Sequence, residues 1–152
     1  MRARLFRAAA TVALISMTVT PAVHAASLTI FHNNDGESSL VPATGFPGAA
    51  RFYTALDQAR TAANGAGRDV LTISSGDNFL ASALLTASLN SGIYYDAQFV
   101  ERVNYDAVVL GNHEFDYGPQ VLADFINQSG ASTTFLSANL DFSGESSLQA
   151  LV

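Results

Sequence analysis

Apolar residues along this chain alternate between short β-branched runs and longer stretches at helical spacing. Residues 28–34, 70–75, 106–110 and 133–140 are rich in Val, Ile, Leu, Thr and Phe, and the first three close on Gly, Asn or Asp. Each of those three reads as a buried strand entering a tight turn, and residues 133–140 read as a fourth strand. Residues 49–63 place Phe52, Ala55, Leu56 and Ala59 on one helical face, with Arg51, Gln58 and Arg60 mostly off it. Asn64, Gly65 and Gly67 end that helix, as such residues do at helix C-termini. Residues 95–103 give a second helix with Phe99 and Val100 inward. Pro119 opens a third, with Val121, Leu122, Phe125 and Ile126 as its apolar stripe. Residues 79–89 fit a helix or a packed loop equally well. The order β-α-β-α-β-α-β predicts an α/β domain around a mainly parallel sheet.

The first 25 residues stand apart. Arg2, Arg4 and Arg7 precede an apolar run from Ala8 to Thr20, then Pro21, and Val23-His24-Ala25 offers small residues before a cut. This is the pattern of a secretory signal, too short for a membrane span, and it predicts a periplasmic or secreted mature chain starting at Ala26. Removing it leaves four basic residues against thirteen acids, a net charge of −9. That balance disfavours nucleic acid and anionic membrane surfaces as partners. There is no Cys. Disulfides and thiolate ligands are therefore excluded, and a metal site would use Asp, Glu, Asn and His.

Parallel strands joined by right-handed crossovers bring their C-terminal ends to one edge of the sheet. Three of those ends carry polar clusters: Asp35-Gly36-Glu37, Gly76-Asp77-Asn78 and Gly111-Asn112-His113-Glu114-Phe115-Asp116. Oxygen donors converging with one imidazole suggest a pair of divalent cations. Asp77, from the middle strand in sequence, would be shared between them, with Asp35 on one and Asn112 on the other. Such a pair activates water and clamps an in-line phosphoryl displacement. His113 would sit beside the metals and stabilise or protonate the reacting oxygens, with Asp116 fixing its tautomer. Plainer roles suit the remaining polar residues. His32 reads as a hydrogen-bonded buried histidine, and Glu114 as a structural partner of nearby backbone. Asp96, Asp106 and Asp124 read as helix-start or strand-edge residues, and Asp141 and Glu145 as solvated loop charges.

Four blocks, His32-Asn33-Asn34-Asp35, Ser75-Gly76-Asp77-Asn78-Phe79, Gly111 to Asp116, and Ser137-Ala138-Asn139-Leu140, resemble the secreted bacterial 5′-nucleotidase branch of the calcineurin-like metallophosphoesterases. Gly48-Ala49-Ala50-Arg51 resembles a further block. The resemblance implies the N-terminal half of a four-layer α-β-β-α domain that hydrolyses phosphate esters of nucleotides. It implies two divalent metal ions (Mn, Zn, Mg or Ca) on Asp35, Asp77 and Asn112, and His113 with Asp116 as the catalytic dyad. General alkaline phosphatase, cyclic-nucleotide phosphodiesterase and sulfur-ester hydrolase chemistry fit the same scaffold. An inactive secreted fragment or binding protein is the alternative from another class.

Two departures from the pattern matter. Glu37 stands where the family carries a metal-binding imidazole; as a ligand it would favour harder ions, and turned away it would leave one metal short of a ligand. The family's later ligands, a lone His and a Gly-His-x-His block, and its substrate domain would lie beyond Val152. The sequence predicts that residues 26–152 alone are poorly folded and nearly inactive, the C-terminal half being the missing partner.

Overall fold

The computed structural model describes residues 26–151; the predicted signal, residues 1–25, lies outside the described residues. Four strands, β1 (Leu28–Asn33), β2 (Asp69–Ser74), β3 (Ala107–Val109) and β4 (Phe135–Leu136), form one sheet. All pairings are parallel and the strands lie side by side in chain order. Helix α1 (Ala49–Gly65) fills the first crossover, α2 (Ala83–Ser91) and α3 (Tyr95–Val103) the second, and α4 (Pro119–Gln128) the third. A short helix, α5 (Ser146–Gln149), follows β4. The ambiguous residues 79–89 resolve into a loop and then α2. Ser82 caps that helix by accepting a bond from the Leu85 amide at 3.0 Å.

Two expectations need correction. The fourth strand, predicted over residues 133–140, is only two residues long. Its single neighbour, β3, has three residues, so the ladder has nothing to continue against. Arg60, expected off the inner face of α1, turns inward instead. Its guanidinium donates to Thr72 Oγ1 at 2.9 Å and to the carbonyls of Val103 and Asn104 at 2.7 and 3.3 Å. A cation there satisfies carbonyls that the end of α3 leaves without helical partners.

Strand order decides where the core lies. Successive right-handed crossovers that all step in the same direction put every helix on the same face. Phe31, Thr72, Val108 and Phe135 point to that face, where Phe79, Leu85, Val100, Val103, Leu122 and Phe125 close the core. The Phe125 ring meets Phe79 and Phe135 edge-on, with centroids 5.0 and 5.9 Å apart. The opposite face stays open: Leu28, Ile30, Val109 and Leu136 are 56, 54, 45 and 49% exposed. His32 belongs to this open face, which is why it is exposed and not buried as its sequence suggested; Ser75 Oγ lies 2.6 Å from its Nε2. No helix among the described residues is long and apolar enough to cross a membrane.

Candidate active site

The turns after β1 and β2 are zipped together by main chain. The ladder continues past the strands as Ser75 N to Asn33 O, Asp35 N to Gly76 O, Glu37 N to Asp77 O and Ser38 N to Asn78 O, at 2.9–3.1 Å. Asp35, Glu37, Ser38 and Asp77 all adopt left-handed backbone, with φ of 53°, 46°, 55° and 52°. Non-glycine residues in that region cost about 1–3 kcal/mol each and cluster at functional sites. Their concentration on these two turns marks the edge of the sheet where the polar clusters converge.

The turn after β3 meets the second turn differently. Here the backbones touch without a main-chain hydrogen bond between them among the described residues. A Cβ on Gly111 would stand 2.3 Å from Asp77 Oδ1, so only glycine fits. Carboxylates make the junction. Asp77 Oδ1 accepts the His113 amide at 2.9 Å. Glu114, wholly buried, accepts four N–H groups: Asp77 N (2.9 Å) and Gly111 N (2.7 Å) on Oε2, Asn78 N (2.7 Å) and Asn78 Nδ2 (3.0 Å) on Oε1. The structural role expected of Glu114 is therefore correct, although its partners come from both turns.

His113 opens a short 3₁₀ turn (His113–Phe115) that brings Asp116 back beneath it. Asp116 Oδ2 lies 2.7 Å from His113 Nδ1. An ionised carboxylate only accepts, so Nδ1 carries the proton and Nε2 is the ring nitrogen outside this bond. The bond to Asp116 raises the imidazole above its ordinary 6.5; partial burial opposes this, and the charges of Asp116, Asp77 and Glu37 add to it. Asp116→Asn should therefore lower the His113 pKa in the metal-free protein, read by NMR titration of the ring protons; an unchanged titration would show that Asp116 does not hold the ring. Because the folded value is raised, the pair stabilises the fold fully below about 6.5 and loses that contribution as pH climbs through the folded value.

Asp35, Glu37, Asp77 and Asn112 are thus carried on three adjacent turns, with Asp77 in the central one. Asp35 accepts a bond from the neighbouring Asn34 carboxamide, and Asn112 is exposed at the start of the 3₁₀ turn. Among the described residues no group of three or more His, Asp and Glu side chains is close enough together to hold a metal ion. What the turns do offer is a set of oxygen donors, the chemistry that hard and borderline divalent cations prefer.

No family model matches the chain. Individual relatives do. The 5′-nucleotidase precursor of Thermus thermophilus superposes with a TM-score of 0.66 at 34% identity, over 82% of this chain and 24% of that one. Human 5′-nucleotidase is 32% identical over 93% of the chain. The trifunctional nucleotide phosphoesterase YfkN of Bacillus subtilis is 31% identical over 82% of it. The chain is similar to 5′-nucleotidases over most of its length. It spans 8% of the length of the Bacillus relative and 25% of the human one.

Two residues that hold this 5′-nucleotidase-like site together escaped the sequence. Ser38, buried, donates to Asp96 Oδ2 at 3.0 Å and lies 3.3 Å from the Leu80 amide, tying the strained first turn to α3. Asp96 stands in the first turn of α3, as its sequence position predicts, yet it is buried. Burial pushes its carboxyl up to about 6. No local pattern marks a serine as the anchor of a turn 58 residues from its partner.

Proposed function

We propose that this chain is the N-terminal half of the catalytic domain of an exported 5′-nucleotidase, which hydrolyses phosphate esters of nucleotides. The observation that carries the reading is the His113–Asp116 pair, held at 2.7 Å with Nε2 free, on the same sheet edge as Asp35, Glu37, Asp77 and Asn112. Asp35, Asp77 and Asn112 would hold two divalent cations, with Glu37 as a further donor. When bound, such ions supply Lewis-acid activation of water and neutralise phosphoryl charge. His113, protonated and oriented by Asp116, donates from Nε2 to the ester oxygen. The water oxygen bonds to phosphorus as the ester P–O bond breaks, and the leaving oxygen takes the Nε2 proton. The open face of the sheet, with Leu28, Ile30, Val109 and Leu136 on it, would pack against a second layer to make the α-β-β-α arrangement. Residues 1–25 would direct export.

The test uses the whole gene product. With Mn²⁺ or Zn²⁺ it should release inorganic phosphate from nucleoside 5′-monophosphates. Glu37→Gln should lower the metal content and the rate, and Glu37→His should shift preference toward Zn²⁺. Absence of phosphate release with every divalent ion would sink the activity. Unchanged metal stoichiometry in both variants would remove Glu37 from the donor set.

A further inference from the structure

We propose that Glu114 is the positioning residue of this site, its carboxylate setting the separation between the Asp77 turn and the Asn112–His113 turn. The three turns are joined in two different ways. The first and second share a main-chain ladder of four bonds. Between the second and third, β2 and β3 are paired at only two positions, Ile73 with Ala107 and Ser74 with Val108. Beyond them no main-chain bond links these two turns among the described residues. Two carboxylates take over: Asp77, through the His113 amide, and Glu114, through Asp77, Asn78 and Gly111. In the reading proposed above, the Asp77 side chain is needed for metal. Glu114 is then the side chain whose work is to join the turns.

Its chemistry matches that task. Each Glu114 oxygen faces two N–H donors, so the group must accept on both sides. A carboxamide cannot, because either orientation of Gln turns an NH₂ group against two donors. A shorter carboxylate keeps the acceptors but loses one methylene of reach between the turns. A buried carboxylate satisfied by four N–H groups is stable without a cationic partner, whereas one left half-bonded is costly. The clamp is therefore stiff. Movement of the third turn would carry the His113 amide away from Asp77.

This inference rests on the proposed phosphoesterase reading, and the experiment separates the two. In the whole gene product, Glu114→Gln should lower kcat at least tenfold with KM within about threefold, and Glu114→Asp should fall between it and the wild type. Leu122→Ala, a core change in α4 away from the site, serves as the stability control; its kcat per folded molecule should stay within twofold. In the metal-free wild type, the amides of Asp77, Asn78 and Gly111 should exchange with solvent in one common opening event, and Glu114→Gln should release all three together. Equal kcat losses in Glu114→Gln and Leu122→Ala would overturn the proposal, as would a Gly111 amide exchanging far faster than those of Asp77 and Asn78 in the wild type. The exchange measurement stands even if Glu114→Gln does not fold. If the wild type hydrolyses no phosphate ester, the functional reading fails, while common exchange of the three amides would still establish the clamp.

Discussion

His113→Ala in the whole gene product should cut kcat by about 10²–10⁴ while leaving the divalent-metal content unchanged. The imidazole is bonded through Nδ1 to Asp116, so its one free nitrogen is the group lost. The contact that ties this residue to Asp77 is made by its main-chain amide, which alanine keeps. The turn and the donors on it should therefore survive the substitution. Asn112→Ala should do the opposite, lowering metal content first and activity as a result. The metal-to-protein ratio of the two variants, measured by elemental analysis, separates the roles. Should His113→Ala strip metal as thoroughly as Asn112→Ala, His113 is a ligand and the proposed mechanism is wrong.

The largest stability loss is expected at Gly76→Ala. This glycine sits at φ 91°, and a Cβ there would stand 2.3 Å from Gly111 N and 2.6 Å from Val109 O. Both are backbone atoms, which cannot step aside as a flexible side chain does. Left-handed strain adds about 1–2 kcal/mol and overpacking about 1–3, for a loss of roughly 2–5 kcal/mol. Gly65→Ala is the contrast. It lies at the end of α1 with nothing within 4 Å, so alanine should stabilise by up to about 1 kcal/mol. Urea titration of both variants gives the answer; a loss under 1 kcal/mol at Gly76 would mean that the two turns are free to separate.

Much of this architecture could be read from local pattern. The first three strands, the helices of residues 49–63 and 95–103, and the helix opening at Pro119 follow from periodicity and from glycine and proline punctuation. The clusters at the strand ends follow from parallel topology alone, since it brings Asp35, Asp77 and His113 to one edge whatever the packing. What local pattern could not carry was long-range. The bond of Ser38 to Asp96 and the inward turn of Arg60 depend on elements meeting across the fold. The exposure of His32 depends on which face the helices cover, which follows from strand order and not from β1 itself. Glu114 shows the boundary well. Its position in the motif signalled a structural carboxylate, but its four donors came to light only with the two turns in place.

The side-by-side order β1-β2-β3-β4 also has a temporal meaning. Each strand pairs with the one synthesised before it, so a chain emerging N-terminus first can add each β-α unit to a finished edge without waiting for distant segments. Loop closure then stays within one unit at a time, which favours quick, stepwise growth. The cost falls on the open face: while it is bare, Ile30, Val109 and Leu136 present an adhesive plane to every other nascent chain nearby. With that plane bare during stepwise growth, yield should depend on chaperone supply more than on intrinsic folding speed.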